Sequence, residues 1–557
     1  MTSPAFLPKN DLLQLAGQFE AVRNPKAALS FLQKAHEAEL QDHALALRYA
    51  NALQQAGDMK SSEGVLQTVL AHDPGHSDAL SQLAGVLIDL GRHEEARHLL
   101  VLLFNKNPHH VGGRAQLARS LFYQGEWQQA WKVFQVRFRL MDRPPEVRMP
   151  GPEGKARLLA PWKEGQPPAS LLVMGEQGFG DMIQFVRFLP HLAAKGAAIT
   201  LVTDRRLFKL LSTLDVPVQF APVDKPGQVQ GIRGWVPLLN LPMALGLDPN
   251  EYRAEAPYLK AEPDRVKRWR AHIGSHGFKI GIAWQGNPQG SIDQGRSARL
   301  EDFLPLTNIP DARLISLQKG QGSEQVRQGA MAGKVEILPP GFDAGEDAFL
   351  DTAALMQSLD LVITVDTAIG HLAGALGIKA MILLKRYGSD WRWQQGHEDT
   401  VWYPSITLKR QKRQGDWHGL IAEIAAGLQS RSQPLAPVSI GELIDKLTIL
   451  EIKLEKIVDA VKRANIEREK TALDGVLGSL ALNHQDLSRL QRDLKNINLQ
   501  LWNIEDDIRL CERYGNFGRT FVELARSVYR MNDQRAALKK QINACTGSVL
   551  VEEKSYA

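Results

Sequence analysis

Residues 366 to 371 bring an acid, a hydroxyl and an imidazole together in the segment DTAIGH. An apolar run before it, Leu361–Val365, suits a buried strand of a parallel sheet, and small residues after it suit a helix. That helix would point free backbone N–H groups at the strand's carboxyl edge, where open α/β sheets bind phosphates. Asp366, Thr367 and His371 are therefore candidate ligand-binding residues. An ordinary strand–helix unit, with a capping Asp366 and a packed His371, is the alternative that this stretch leaves open.

A second turn that could do chemistry lies earlier in the chain, in the segment GEQGFGD. A short apolar run, Ser170–Met174, precedes it and an amphipathic helix follows it, which predicts a glycine-rich loop that a ligand can approach closely. The residues of this cleft loop are Gly178, Phe179 and Gly180. The glycine spacing matches neither a dinucleotide fingerprint nor a Walker loop. Asp181 could accept a proton at the rim of a cleft, or it could be the helix cap that aspartate favours.

Both turns belong to a region that alternates short apolar runs with helical segments, as α/β folds do. Runs near residues 198 and 234 continue the first part, and runs near 278, 313, 334, 360 and 378 make a second part. We expect two Rossmann-like halves, residues 170–270 and 271–432, with the two turns facing each other across a cleft. Residues 141–169 are rich in Pro and Gly and are interpreted as a linker.

The first third of the chain repeats itself every 34 residues. Small residues recur in phase where two helices would cross, and glycines recur at the turns: Ala16, Ala50, Ala84 and Ala118; Ala28, Ser62, Ala96 and Ala130; Gly57, Gly91 and Gly125. The period resembles the tetratricopeptide repeat, and it predicts an α-solenoid of about four repeats over residues 1–140. Its concave groove suits a peptide or protein segment. A purely structural stack against the next domain is the alternative.

The last part of the chain, residues 433–557, shows leucine and isoleucine at alternating spacings of three and four. One run extends from Leu443 to Val461 and a second from Leu487 to Ile508, and a third helix is expected from Arg519 to Ile542. These segments predict a helical hairpin or bundle. Self-association or docking is the expected role, and a second catalytic site stays open.

Composition limits the class of protein. The chain has 557 residues with 44% apolar and 23% charged side chains, which indicates an ordinary globular protein of several domains. A net charge of +5 is too small to argue for nucleic-acid binding. Only two cysteines occur, so a disulfide scaffold is excluded, and neither a signal peptide nor a run of about 18 apolar residues is present. We therefore expect a cytoplasmic protein.

Several segments together carry a resemblance to a known family. GEQGFGD, IAWQGNP, SLQKG, VDTAIGHLAGALG, DWRWQQG and WYP resemble bacterial proteins that fuse tetratricopeptide repeats to a GT-B glycosyltransferase domain. That domain, roughly residues 165–430, is similar to the heptosyltransferases of glycosyltransferase family 9. The C-terminal helices resemble a bacterial domain of unknown function that accompanies sugar-related genes.

The resemblance implies roles for particular residues. In those enzymes a D-T-G-x-x-H element binds the diphosphate and sugar of the nucleotide donor; Asp366, Thr367 and His371 match it, with Ala368 in place of the glycine. The aspartate of their N-terminal G-D turn is thought to act as catalytic base, and Asp181 has that position. The other donor-binding residues implied are Trp284, Asn287, Arg296, Gln318 and Lys319, with Arg296 and Lys319 as cations on the phosphate side.

An inverting sugar transfer needs a carboxylate to take the acceptor's proton and a group to stabilise the leaving diphosphate. The sequence contains no Asp-x-Asp pair, which favours a metal-independent mechanism without a cofactor. The resemblance implies a nucleotide-sugar donor. The solenoid groove, which suits a polypeptide, favours a protein acceptor over a lipid-linked glycan, and the sequence leaves that choice open. Flagellin is a candidate acceptor, because flagellin-modifying enzymes of this group combine the same two modules. A nucleotide-sugar epimerase of the same fold and a non-catalytic repeat scaffold are the alternatives.

Overall fold

The computed structural model divides the chain into two compact units, residues 1–432 and 433–557. The described residues are 8–21, 25–139, 146–150, 156–163, 165–166, 170–224, 231–247, 256–287, 293, 295–431, 438–480, 482 and 486–550. Among them, no helix is both long and apolar enough to cross a membrane.

The N-terminal third consists of four helix pairs, which confirms the 34-residue repeat. The helices are α1 (Lys9–Ala21), α2 (Pro25–Ala38), α3 (His43–Ala56), α4 (Met59–His72), α5 (Ser77–Asp89), α6 (His93–Lys106), α7 (Val111–Tyr123) and α8 (Trp127–Phe134). All eight in-phase small residues at the helix crossings are buried. The one polar member, Ser62, donates its hydroxyl to the Ala50 carbonyl at 2.8 Å, so the buried oxygen has a partner. The turn glycines Gly57, Gly91 and Gly125 have φ of 87, 78 and 76°, which glycine adopts without strain.

The first α/β half is built on a parallel sheet with the order β5-β4-β3-β6. A short antiparallel pair, β1 (Arg148–Pro150) and β2 (Ala156–Leu158), precedes β3 (Ser170–Met174), α9 (Phe179–Phe185), α10 (Leu189–Ala194), β4 (Ala198–Thr203), α11 (Phe208–Leu211), β5 (Val218–Pro222), β6 (Gly234–Pro237) and α12 (Leu241–Leu245). The segment interpreted as a linker is therefore partly folded. Pro161 bridges to Trp235 of β6, so its second part extends the edge of this sheet.

The second half carries a six-stranded parallel sheet in the order β9-β8-β7-β10-β11-β12. Its elements are α13 (Pro263–Ile273), β7 (Phe278–Ala283), β8 (Ala312–Ser316), β9 (Val335–Glu336), α14 (Leu350–Met356), β10 (Leu361–Val365), α15 (Ala368–Ala375), β11 (Ala380–Leu384), β12 (Ile406–Arg410) and α16 (Trp417–Arg431). The strand order reverses between β7 and β10, which is where open α/β sheets bind ligands. The expected pair of Rossmann-like halves is confirmed.

The last repeat shares its hydrophobic core with both α/β halves. Phe122 and Trp131 of the repeats lie in one buried cluster with Phe185 of the first half and Trp402 of the second. The Phe122 ring stacks on Trp391 with the ring centroids 4.0 Å apart. The structural-stack alternative therefore holds for this end of the solenoid, because removing the repeats would expose the aromatic core of the α/β halves.

The described residues of the C-terminal unit form four helices, where the sequence predicted three. They are α17 (Ile440–Lys456), α18 (Ala460–Ser479), α19 (Leu487–Arg513) and α20 (Arg519–Thr546). The first run was expected to continue to Val461, but α17 ends at Lys456 and the Asp459 carboxylate caps α18 by accepting from the Lys462 amide at 2.9 Å. Val461 consequently lies exposed on α18. The apolar seam of α19 is buried only in its first half, at Leu487, Leu490, Leu494 and Leu501.

Candidate active site

The turn after β10 places Asp366 and Thr367 at the carboxyl edge of the sheet, directly before α15. Thr367 is the N-cap residue, and its hydroxyl lies 3.1 Å from that of Thr364. A Cβ on Gly370 would lie 2.9 Å from Ile382, and one on Gly374 would lie 2.3 Å from the Tyr403 ring. The small residues that follow Asp366 therefore let α15 lie close to β11 and Tyr403.

His371 is buried and fixed on two sides. Its Nδ1 lies 3.0 Å from the Tyr403 hydroxyl, and its ring stacks on Trp393 with centroids 5.2 Å apart. Burial holds the pKa of His371 well below its ordinary value, and the charge of Arg392 acts in the same direction. The imidazole is thus neutral near pH 7 and can act as a hydrogen-bonding group rather than as a cation.

Asp366 is only 8% exposed. Burial and then the charge of Asp390 raise its pKa from the ordinary 3.8 to about 6, against the opposing charge of Arg296. Asp366 and Arg296 line the same cavity, so the structure brings these two predicted donor-binding residues together. Arg296 also forms an ion pair with Asp293, with Nε and Oδ1 3.6 Å apart.

Asp181 caps a helix and also belongs to a charged cluster. Its Oδ2 accepts the Gly178 amide at 2.8 Å, and its Oδ1 accepts a hydrogen bond from Arg392. The side chain keeps 18% of its surface exposed. Burial raises the pKa of Asp181, and the charge of Arg392 opposes that rise. Because each carboxylate oxygen has two lone pairs, these bonds leave room for a proton from another group.

The two turns meet directly. A Cβ on Gly180 would lie 2.8 Å from His371 Cδ2 and 3.5 Å from the Ala368 Cα, so glycine at this position allows the close approach. Phe179 packs edge-on against Phe349 of the second half at 5.9 Å. The phenylalanine of the expected cleft loop therefore joins the two halves, while the starts of α9 and α15 face each other.

The remaining predicted donor-binding residues lie in different settings. The Trp284 side chain is fully buried in the core of the second half, so its ring is not exposed to a donor in this structure, and a donor-binding role for Trp284 stays a prediction. Gln318 stabilises the loop after β7 through its Oε1, which accepts the backbone amides of residues 284 and 285 at 3.1 and 3.0 Å. Lys319 donates to the carbonyls of Phe342, at 2.7 Å, and Asp343, away from Asp366. Asn287 lies exposed at the end of the loop after β7.

Arg392 is the residue that the sequence interpretation missed. It lies between two tryptophans in the segment DWRWQQG. The guanidinium, 4% exposed, donates to Asp181, to Gln184 Oε1 at 2.6 Å and to Asp390 at 2.9 Å. An arginine enclosed by core aromatics in a loop was the available signal, since a buried guanidinium needs acidic or amide partners.

Two cavities lie between the second half and the repeats. One, of about 290 Å³, is lined by Asp366, Arg296, Asp390 and Lys385, with Arg119 of α7. The other, of about 790 Å³, is lined by both the repeats and the second half, and its polar lining residues include Asn51, Gln54, Gln55, Asp89, Ser297 and Gln414. The two cavities share Arg119, Lys385 and Gly388. The inner helices of the solenoid and the carboxyl edge of the sheet thus surround one region.

Within the described part of the chain, no three His, Cys, Asp or Glu side chains are arranged to hold a metal ion.

Two family models match the chain. The tetratricopeptide repeat matches residues 56–110, and a family of unknown function (DUF6165) matches residues 436–557. The N-terminal third is a set of tetratricopeptide repeats. Among curated proteins, Protein FlbA of Caulobacter vibrioides is 25% identical over 341 residues, covering 56% of this chain and 54% of that protein. The chain thus spans about half the length of the curated relative that it matches.

Solved structures resemble separate parts of the chain. E. coli ADP-heptose lps heptosyltransferase II is 14% identical, covering 48% of this chain and 100% of its own, with a TM-score of 0.35. The iron-containing dodecameric glycosyltransferase TibC of enterotoxigenic E. coli is 14% identical, covering 50% of this chain and 79% of its own, with a TM-score of 0.31. A thermophilic TPR protein of Thermus thermophilus is 20% identical, covering 24% and 75%, with a TM-score of 0.23.

Proposed function

We propose that the chain is an inverting, metal-independent glycosyltransferase that moves a sugar from a nucleotide-diphosphate donor to a protein acceptor. The observation that carries the proposal is the meeting of two turns from two sheets. Gly180 packs against His371 at the point where the strand order of the second sheet reverses. Asp181 and Asp366, the carboxylates at the two turns, belong to different halves and both feel the charges of Arg392 and Asp390. Their different positions suit Asp181 for the acceptor and Asp366 for the donor.

The donor diphosphate would lie at the start of α15. The backbone N–H groups there and the Arg296 guanidinium can stabilise the charge that develops on the leaving diphosphate. Asp366 would accept hydrogen bonds from the sugar hydroxyls, and neutral His371 would form a hydrogen bond with one of them. In the transfer, a lone pair of the acceptor forms a bond to the anomeric carbon while the bond from that carbon to the diphosphate breaks. The diphosphate keeps the bonding electrons, and the acceptor's proton passes to Asp181.

The acceptor would enter through the cavity of about 790 Å³. Its lining combines amide side chains of the inner helices, at residues 51, 54 and 55, with Lys385 and Gln414 of the second half. Amides can both donate to and accept from a peptide backbone, so this lining suits an extended protein segment. Flagellin stays one candidate among such acceptors.

A thermal-shift screen of UDP-, GDP-, ADP- and dTDP-sugars against the full chain tests the donor site. A donor at about 100 times its Kd should stabilise the folded state by roughly 2.7 kcal/mol, or about 3 °C for a unit of 432 residues. The variant Asp366→Ala should lose this shift relative to its own melting temperature without donor. Asp215→Ala, whose carboxylate is 96% exposed, is the matched control and should keep it. If no nucleotide sugar shifts the melt, the transferase proposal fails.

Transfer itself is followed with the donor that passes the screen. Asp181→Asn should bind donor normally and lose transfer by about 100-fold or more, because the proton acceptor is gone. A variant that still transfers at the wild-type rate would make Asp181 a cap only. Transfer should persist in a chelator. Conversion of the sugar without any acceptor would identify an epimerase instead, and donor binding without either reaction would identify a scaffold.

A further inference from the structure

The loop Tyr387–Gln395, between β11 and β12, is named here the bridging loop because it contacts both the repeats and the active site. On the repeat side, the Gly388 amide donates to Asp89 Oδ1 at 3.0 Å. The Tyr123 hydroxyl donates to the Ser389 carbonyl at 2.5 Å. Asp89 and Tyr123 are the last residues of α5 and α7 and lie 34 positions apart, so two successive repeats present the same position to the loop.

The positions just before these two residues repeat the pattern. The Ile88 carbonyl accepts from Gln395 Nε2 at 3.1 Å, and 34 positions later the Phe122 ring stacks on Trp391. Helices α5 and α7, the first helices of two successive repeats, thus contact the loop at both of its ends and in its middle. A contact set that follows the repeat period indicates that the solenoid is docked on this loop as a regular surface.

On the other side, the intervening loop residues contact the active site. Arg392 donates to Asp181 and to Gln184 of α9, and it is itself held by Asp390. The guanidinium therefore connects the loop to the helix that carries Asp181. Because a buried guanidinium is costly to leave without its partners, the loop cannot shift unless these groups shift with it.

The donor side is connected in the same way. Trp393 stacks on His371, and the charge of Asp390 raises the pKa of Asp366. Arg410 of β12 holds the far end of the loop by donating to the Gln394 carbonyl at 2.7 Å. Arg392 and Trp393, the loop side chains that contact the catalytic turns, thus lie between loop residues that the repeats or the sheet hold in place.

We infer that the bridging loop positions Asp181 and the donor-binding turn, and that the tetratricopeptide repeats hold the loop in its working place. The solenoid is then part of the transfer site as well as a surface for the acceptor. Arg392 is the positioning residue that carries this effect to Asp181. The inference rests on the proposed function for what the carboxylate does, while the hold of the repeats on the loop is testable without any donor.

The electrostatics of Asp181 supply a readout specific to Arg392. The charged groups that face the carboxylate are Arg392, Asp390 and Glu176; Arg392 lowers its pKa, and the two acids raise it. Replacing Arg392 with glutamine should therefore raise the pKa of Asp181 and move the acidic limb of the transfer pH profile to higher pH. Arg392→Lys keeps a positive charge, so its pH profile should move less than that of Arg392→Gln. A purely structural role of Arg392 would not produce this difference.

Hydrogen exchange of the full chain, resolved to single amides, tests the hold of the repeats. Tyr123→Phe removes only the hydroxyl that donates to the loop. The Gly388 amide and the Gly178 amide, which donates to Asp181, should then both exchange about two- to tenfold faster. Tyr49→Phe is the matched control, since Tyr49 is the other tyrosine of the repeats and packs on His36. It should change neither amide.

The outcomes separate the inference from the proposed function. Faster exchange at both amides supports the inference even if no nucleotide sugar binds. An unchanged Gly388 amide means that the repeats do not hold the loop, and a change at Gly388 without one at Gly178 means that the loop does not hold Asp181. Either result overturns the inference. If donor binds and Arg392→Gln leaves the acidic limb of transfer in place, Arg392 is not a positioning residue for Asp181.

Discussion

Replacing Asp366 with asparagine should stabilise the protein while removing the group proposed to bind the donor. The carboxylate is 8% exposed, and burial with the neighbouring Asp390 raises its pKa from 3.8 to about 6. A carboxyl whose pKa is raised on folding binds its proton more tightly in the folded state. The folded state therefore loses stability as the pH rises from the ordinary pKa to the raised one, and the full cost remains above pH 6.

The size of this cost follows from the pKa shift. At 1.36 kcal/mol per unit, ionised Asp366 destabilises the fold by about 3 kcal/mol at about pH 7.5 and by about 1 kcal/mol at about pH 4.5. The asparagine variant carries no such charge. The unit of 432 residues has an unfolding entropy of about 2.1 cal/mol/K per residue. The asparagine variant should therefore melt about 3 °C higher than the wild type at the higher pH and about 1 °C higher at the lower pH.

Thermal unfolding of the full chain at a series of pH values measures the effect. We expect the difference in melting temperature between Asp366→Asn and wild type to grow with pH through the range from about 4 to 6 and then level off. Asp215→Asn, at a 96% exposed carboxylate, should show no such growth. A difference that is independent of pH, or a variant that is less stable at the higher pH, would refute the assignment of a raised pKa to Asp366.

Two further predictions concern packing and a buried charge. Gly374→Ala should destabilise the first unit by about 1–3 kcal/mol, because its Cβ would lie 2.3 Å from the Tyr403 ring. Gly64→Ala in α4, where a Cβ meets nothing within 4 Å, should instead stabilise the unit by about 0.5–1 kcal/mol. Thermal unfolding of the two variants measures both effects. Asp445→Ala should destabilise the C-terminal unit by about 3–5 kcal/mol, because Asp445 is buried and accepts side-chain hydrogen bonds from Arg535 and Asn498. Asp474→Ala, at a half-exposed carboxylate paired with a lysine, should cost under about 1 kcal/mol, and hydrogen exchange over residues 487–546 would show both effects. Equal effects of the two glycine substitutions would contradict the packing argument. Equal effects of the two aspartate substitutions would contradict the buried-charge argument.

Much of the fold was predictable because its signals are local. Strands β3, β10 and β11 are largely apolar runs, as central parallel strands are, and the repeats follow a fixed period. Strands β5 and β12 were missed, and both lie at the edge of a sheet, where fewer side chains are buried. The extra helix α18 was missed because its apolar residues do not gather on one face of the helix.

Local patterns indicate the two candidate ligand-binding turns: glycines, a capping residue and an acid between an apolar strand and a helix point to Asp181 and Asp366. The partners of those acids follow from the packing of distant elements. Asp181 is bonded by Arg392, 211 positions later, and the loop that carries this arginine is held by Tyr123, 266 positions before its partner Ser389. Local patterns report whether a residue is buried and in which element. The partner of a buried charge depends on how distant elements pack, because the cost of burying it is met only once that packing has formed.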